Sequence, residues 1–225
     1  ERLCSLLVSD LGDENEIACR GDHEMESTWV LAHDQPRKLI PKTDHSACLV
    51  TGGLGGLGLA CAKQLADAGA KTLWLVSRGK PGTRASEAIS GIEASGVRVF
   101  VRNIDVADGA QVSEIIQEIR DSGDPLTTIY HCAGVLEDRR AGNNSRSTVA
   151  ATLRPKLLGA LNLDQATRAD ELGEFVLFSS ITATLGNRGQ TNYGAANNAM
   201  AAVAESRARR NAPVTVIDWG PWQDV

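Results

Sequence analysis

Eight residues, Thr51-Gly52-Gly53-Leu54-Gly55-Gly56-Leu57-Gly58, constrain this chain more than any other stretch. They follow an apolar run, Ala47-Cys48-Leu49-Val50, and open a helix-like segment from Leu59 to Ala66. Glycines packed between a strand and a helix let the backbone turn sharply. They also leave peptide N–H groups, with the positive end of the helix dipole, free to meet a phosphate. A glycine-rich run by itself is as often a surface loop. The strand before it, the helix after it and the pattern downstream make this one a pyrophosphate cradle.

Downstream, strand-like apolar runs alternate with amphipathic helix-like ones. The strands are Thr72–Ser77, Val97–Val101, Leu126–Cys132, Phe175–Ser179 and Val214–Ile217. Between them lie helical segments at Ala85–Ala94, Gln111–Arg120, Thr148–Arg168 (interrupted at Pro155) and Ala195–Arg209. Such alternation implies right-handed crossovers and a parallel sheet covered on both faces, an α/β doubly wound fold of Rossmann type. Ligands of such sheets bind beyond the carboxyl ends of the strands. Residues 1–45 carry only short apolar runs, Leu6-Leu7-Val8 and Thr28-Trp29-Val30-Leu31, and reach the main core through Pro36 and Pro41. They read as a short β-rich appendage to a catalytic domain at 46–225. The polar stretch Arg139–Ser147 reads as a mobile loop.

With 23 basic and 28 acidic residues the net charge is −5, which argues against a nucleic-acid or anionic-membrane surface. No apolar run is long enough to span a bilayer. The five cysteines, Cys4, Cys19, Cys48, Cys61 and Cys132, are scattered with no C-x-x-C pair. That usage reads as reduced thiols in the cytoplasm, and no metal site is read.

Which dinucleotide the cradle takes is set about 20 residues past the glycine loop, where an acidic residue would bond the ribose 2′-hydroxyl of NAD and an arginine the 2′-phosphate of NADP. There the second strand ends in Ser77-Arg78-Gly79-Lys80, with no carboxylate. A guanidinium forks onto phosphate oxygens, so NADPH is expected. Asp105-Val106, after the third strand, is placed against the adenine, or else Asp105 caps the following helix. Ala133-Gly134, after the fourth, lets the backbone approach the cofactor.

The fifth strand ends in Ser179-Ser180, and Tyr193 follows with Asn197 one helical turn beyond it. A tyrosine that protonates a carbonyl oxygen near neutral pH needs its pKa lowered from about 10, which a neighbouring ammonium does. The position four after Tyr193 is Asn197, so the lysine must come from elsewhere; the candidate is Lys156 in Leu153-Arg154-Pro155-Lys156. Pro155 suits the first position of a helix, which would put Lys156 in the first turn. Ser180 could bond the carbonyl oxygen, and Asn197 could hold Lys156 or a relay water. Singly, each is an ordinary turn, packing or surface residue. Jointly, at strand ends above a dinucleotide loop, they read as a reductase site.

These residues resemble a known family. Thr51–Gly58, His131-Cys132-Ala133-Gly134-Val135-Leu136, Leu153–Lys156, Phe178-Ser179-Ser180, Gly189–Asn197 and Trp219-Gly220-Pro221-Trp222 are similar to the ketoreductase domains of modular polyketide synthases. Those are short-chain dehydrogenases/reductases in which lysine and asparagine have exchanged places. The resemblance implies NADPH-dependent reduction of a β-ketoacyl group carried on an acyl carrier protein, beside the other domains of the synthase. It implies that Tyr193 is the general acid, Ser180 its partner on the carbonyl, Lys156 the group that tunes Tyr193 and bonds the nicotinamide ribose, and Asn197 the group that orients Lys156. Thr51, Gly52, Gly53, Leu54, Gly56, Leu57, Gly58, Ser77, Arg78, Asp105, Val106, Ala133, Gly134, Lys156, Tyr193, Pro221 and Trp222 would line the cofactor. Residues 1–45 look like the tail of a preceding non-catalytic subdomain, and the family continues past Trp222 into a lid helix and a last strand. Leu136-Glu137-Asp138, close to the family's Leu-Asp-Asp, and Leu185, where the opposite class tends to have tryptophan, point to the D-alcohol. Arg139, Arg140 and Arg146 are candidate docking charges for an acidic carrier. Two other readings use the same residues: a catalytically silent structural module of the same multienzyme, and a free-standing alcohol or steroid dehydrogenase, which Asn197 argues against.

Overall fold

A strand buried on both faces needs neighbours on both sides and cover above and below, so burial sorts this sheet before any connection is traced. The computed structural model describes residues 17–20, 23–26 and 47–222. The chain divides into two units, Glu1–Leu39 and Ile40–Val225. In the first, β1 (Ile17–Arg20) and β2 (His23–Glu26) pair antiparallel, with Ile17 opposite Glu26 and Arg20 opposite His23. The strand-like runs at 6–8 and 28–31 lie outside the described residues.

In the second unit β3 (Ala47–Thr51) is buried throughout, and so is β4 (Thr72–Ser77) except for Ser77. By contrast β5 (Arg98–Asn103) is half-buried with exposed ends. With β6 (Leu126–His131), β7 (Glu174–Ser180) and β8 (Thr215–Trp219) they form a six-stranded sheet in the order β5-β4-β3-β6-β7-β8. All its pairings are parallel. The half-buried strands β5 and β8 are its edges. This sheet starts in its middle with β3, and the chain winds outward through β4 to β5, then returns to β6 on the other side of β3. The switch point therefore lies between the carboxyl ends of β3 and β6, where Thr51 stands opposite His131.

Side chains alternate between two cores, as a pleat requires. Leu49, Trp74 and Val76 face the layer of α3 (Gly109–Asp121), which contributes Ile115, Ile116 and Ile119. Cys48, Val50, Leu73 and Leu75 face the layer of α1 (Gly56–Asp67) and α2 (Thr83–Ala94). Asp108, not Asp105, is the N-cap of α3, accepting from the Ala110 and Gln111 backbones.

Between β6 and β7 the structure departs from the expected break at Pro155. The chain is helical from α4 (Arg146–Leu153) through a π-helical turn, Arg154–Leu158, into α5 (Gly159–Ala166). Proline lacks the N–H of the regular ladder, and the wider turn accommodates it without ending the helix. Lys156 thus sits in the middle of a helical run rather than in a first turn. The polar stretch before it is not shapeless. It holds a 3₁₀ turn at Ala141–Asn143, and a capping box between Ser145 and Thr148 starts α4. A short α6 (Thr182–Leu185) follows β7, and α7 (Thr191–Ala208) begins before Tyr193, not after it. Among the described residues no helix is long and apolar enough to cross a membrane.

A buried ion pair locks α5 to α7. Asp164 accepts from Arg207 at 2.7 Å, with both side chains almost fully buried, and from the more exposed Arg210 at 2.7 and 2.9 Å. The Arg207 guanidinium also lies 3.9 Å from the Phe175 ring centroid. Removing one partner of a buried pair strands the other charge. Asp164→Ala is expected to cost about 3–5 kcal/mol in urea unfolding, whereas Arg210→Ala should cost no more than about 1 kcal/mol; equal losses would refute this account.

Candidate active site

Gly52, Gly53 and Gly58 of the loop are each held to glycine by close backbone contacts. Gly52 has φ +65°, and a Cβ on it would lie 3.0 Å from the Ala133 backbone. One on Gly58 would lie 2.2 Å from the Gly52 carbonyl oxygen, so only glycine lets the first turn of α1 rest on the loop. Gly55 is the N-cap of α1 and no side chain caps the helix. The first-turn N–H groups at Gly56, Leu57 and Gly58 are thus left to an anion from outside. Thr51, Gly53 and Leu54 complete the turn, the Gly53 N–H donating to the Val76 carbonyl at 3.1 Å.

Next to the loop, Ser77 ends β4 half-buried, and Arg78 follows it exposed. Asp105 closes a turn by accepting from the Ala107 N–H, and Val106 is buried. Ala133 donates its N–H to Thr51 Oγ1 at 3.3 Å. These walls, an uncapped helix end and an exposed guanidinium off the adjacent strand fit a phosphorylated dinucleotide. At the far side Trp222 packs on Trp219 with ring centroids 4.6 Å apart, beside the exposed Pro221.

Beyond the loop a cavity of about 220 Å³ is lined by Leu57, Gly134, Lys156, Ser180, Tyr193 and Trp222, among others. It brings together three of the four expected catalytic side chains. Lys156 is 3% exposed; its ammonium donates to the Phe178 carbonyl at 2.8 Å and lies 5.5 Å from the Tyr193 ring centroid. Burial pushes its pKa down to about 8. A Cβ on Gly134 would stand 3.0 Å from Lys156 Cε, so glycine there makes room for the lysine stem. Ser180 Oγ accepts from the Thr182 hydroxyl at 3.0 Å and the Thr182 N–H at 3.2 Å, which leaves its own proton to donate.

Asn197 is fully buried one turn beyond Tyr193, but it does not bond Lys156. Its Nδ2 donates to the Tyr193 carbonyl at 2.8 Å, and its Oδ1 has no partner. A buried acceptor without a donor is costly, and it marks a place for a water or an ammonium to bind.

The sequence reading did not single out the residues that hold this site in place. His131, fully buried, accepts the Thr51 hydroxyl at Nδ1 (2.7 Å) and donates from Nε2 to the Lys156 carbonyl (3.0 Å). A carbonyl can only accept, so this contact fixes the tautomer. Burial pushes the imidazole pKa down to about 4 and keeps it neutral. A Cβ on Gly159 would fall 2.7 Å from the His131 ring, so the π turn closes on that ring only with glycine there. Asn192 donates to the Glu137 carbonyl and to Thr152, and Gln190 to the Asp138 carboxylate, tying the segment after β6 to the start of α7. The one available signal was a histidine at the end of the strand-like run Leu126–Cys132; Asn192, among Gln190, Thr191 and Tyr193, carried none.

A family model described as KR domain matches residues 46–224. Polyketide synthase GfsB of Streptomyces halstedii is 40% identical over 220 residues, which is 95% of this chain and 4% of that protein. Chalcone synthase cfoA of Aspergillus candidus is 40% identical over 177 residues, 77% of this chain and 6% of that protein. The chain thus spans less than a tenth of the curated relatives it matches. Among solved structures, an A1-type ketoreductase is 35% identical with a TM-score of 0.86, covering 99% of this chain and 47% of that one. PlmKR1, a ketoreductase from the first module of phoslactomycin biosynthesis in Streptomyces sp. HK803, is 34% identical with a TM-score of 0.76 over 84% of this chain and 44% of that one.

The burial of Lys156 has a consequence for stability. Its folded pKa of about 8 lies below the unfolded value of about 10.4. The unfolded chain therefore holds the extra proton between those values, and stability should rise with pH across that window. Relative to Lys156→Met, the gain should approach about 3 kcal/mol by the upper end, read from denaturant unfolding at a series of pH values. A flat difference would place the ammonium in solvent.

Proposed function

This chain belongs to the KR domain family, the ketoreductase domains of modular polyketide synthases, and on that premise we propose that it reduces a β-ketoacyl thioester with NADPH. The acyl chain would be carried on the phosphopantetheine arm of an acyl carrier protein, in the cytoplasm, with the synthase's other domains as neighbours. Residues 1–45 are read as the tail of a preceding structural subdomain. The observation that carries the reading is the buried Lys156 ammonium beside Tyr193, at the cavity next to the glycine loop.

The bound nicotinamide would supply hydride to the β-carbon. The chain's own groups would do the rest. As the carbonyl oxygen gains charge, the Tyr193 phenol gives it a proton and the Ser180 hydroxyl hydrogen-bonds to it. The Lys156 ammonium lies beside the Tyr193 ring, and two of its protons remain for a ribose hydroxyl or a water. The unpartnered Asn197 Oδ1 would accept from that water or from Lys156 itself once the site fills. NADPH over NADH rests on Arg78, exposed at the end of β4 with no carboxylate beside it. The D-alcohol rests on Leu136-Glu137-Asp138, held against the start of α7 by Gln190 and Asn192, and on Leu185. Exposed Arg139 and Arg140 follow that segment and exposed Arg146 opens α4, where an acidic carrier would bring its thioester.

Tyr193→Phe should lower kcat by about 10²–10⁴-fold while leaving the NADPH dissociation constant within about twofold, measured by NADPH oxidation with a β-ketoacyl thioester and by direct binding. Nucleotide binding without turnover in the unmodified chain would instead favour a silent structural module. Arg78→Ala should weaken NADPH by roughly 10–100-fold, the range of one or two charge-assisted hydrogen bonds, and leave NADH unchanged. Equal losses for both nucleotides would refute the assignment.

A further inference from the structure

Cys61 and Cys132, far apart in sequence, meet at the wall of the crevice. Cys132 follows β6 directly, is half-buried and lines the cavity; Cys61 lies on α1, buried, one turn beyond Gly58. Their sulfurs are 4.0 Å apart, with the Cys132 thiol donating to Cys61. That is contact distance, about 2 Å longer than a disulfide bond. We propose that these two thiols form an oxidisable pair whose oxidant is a hydroperoxide entering through the cavity and whose product is a Cys61–Cys132 disulfide.

The hydrogen bond from Cys132 holds the Cys61 thiol below its usual pKa against the opposing effect of burial, and the same contact raises Cys132. Cys132 lines the cavity and the buried Cys61 does not, so an entering peroxide meets Cys132 first. In the first step the Cys132 sulfur attacks the peroxide, the O–O bond breaks, and the departing alkoxide takes up the thiol's proton to become an alcohol. Cys132 is left as the sulfenic acid. In the second step the Cys61 sulfur attacks that sulfur, the S–O bond breaks, and hydroxide leaves with the Cys61 proton as water. Two thiols lose two electrons, and the peroxide is reduced to alcohol and water.

The pair is built into the crevice. The Cys132 N–H donates to the Thr51 carbonyl at 3.1 Å, and Gly52 packs against the next residue, Ala133. Leu57, which also lines the cavity, lies one turn before Cys61 on α1. Drawing the sulfurs together pulls the wall after β6 toward the helix that carries the phosphate-facing N–H groups. The disulfide therefore opposes nucleotide binding, and bound nucleotide opposes the disulfide by the same factor. This second consequence rests on the cofactor reading above; the disulfide itself does not.

The test uses the full chain treated with hydrogen peroxide, alkylated, digested and mapped by mass spectrometry. The expected product is a cross-linked Cys61–Cys132 peptide pair lighter by two hydrogens, reversed by dithiothreitol and lost in both Cys132→Ser and Cys61→Ala. The oxidised protein should bind NADPH roughly tenfold more weakly, and saturating NADPH should shift the dithiol–disulfide equilibrium toward the dithiol by the same factor in a dithiothreitol redox titration. Sulfinic acid on Cys61 or Cys132 alone, or linkage confined to other cysteines, would overturn the pair. A cross-link that leaves the NADPH dissociation constant unchanged would overturn its coupling to the crevice. A chain that forms the cross-link but binds no NADPH before oxidation would support the pair and sink the cofactor reading instead.

Discussion

A protonated lysine placed in the protein interior must be paid for by the fold around it, and the rest of the site can be read as the set of conditions that let Lys156 lie where it does. Its ammonium has one protein acceptor, the Phe178 carbonyl at the end of a central strand. To reach it, the helical run from Arg146 to Ala166 must cross the carboxyl edge of the sheet at one height. Two small residues permit the approach: Gly134, under the lysine stem, and Gly159, against the His131 ring. His131 then pins the Lys156 backbone to Thr51, at the mouth of the glycine loop. The glycine loop and the Lys156 ammonium are thus held by one short chain of hydrogen bonds at the switch point of the sheet.

The fold was legible because its signals are repetitive. Strand and helix alternate in period and length, and the apolar runs at 47–50 and 72–77 became central strands because such runs are stable only when covered on both faces. The glycine loop was legible for a different reason: a steric demand leaves a residue type behind. The sheet also puts every strand-end candidate, from Thr51 to Trp219, at one edge, so spacing along the chain translated into a place in space.

What could not be read were the contacts between distant segments. Pro155 carries a strong local signal for a helix start, yet α4 had already begun at its own capping box, and the chain widened into a π turn rather than stop. Asp105, read as an adenine contact or else a helix cap, is not the cap; Asp108, nearer the helix, took that part. Nothing in the sequence distinguishes His131 from a histidine buried only for packing, since its meaning lies in a bond to the backbone of a residue on another element. The cysteines show the same limit. Without a C-x-x-C spacing they looked unrelated, and only the packing of α1 beside β6 brings two sulfurs into contact.

The exchange of lysine and asparagine has a structural cost that follows from these contacts. Had the lysine stood four residues after Tyr193, one helix would fix the spacing of phenol and ammonium, and the geometry would survive loosening elsewhere. Here the phenol rides on α7 and the ammonium on the turn before α5, so their separation is a tertiary distance. It is set by how α5 packs on α7, through Leu163, Met200 and Val203 in the shared core and through the buried Asp164–Arg207 pair at the far end. That pair is a poor device for stability alone, because apolar residues of the same volume often do as well. It does fix the axial register of the two helices, which apolar contacts leave freer to slide. A charge pair far from the cavity thereby acts on the distance between phenol and ammonium, and substitutions there bear on that distance as well as on stability.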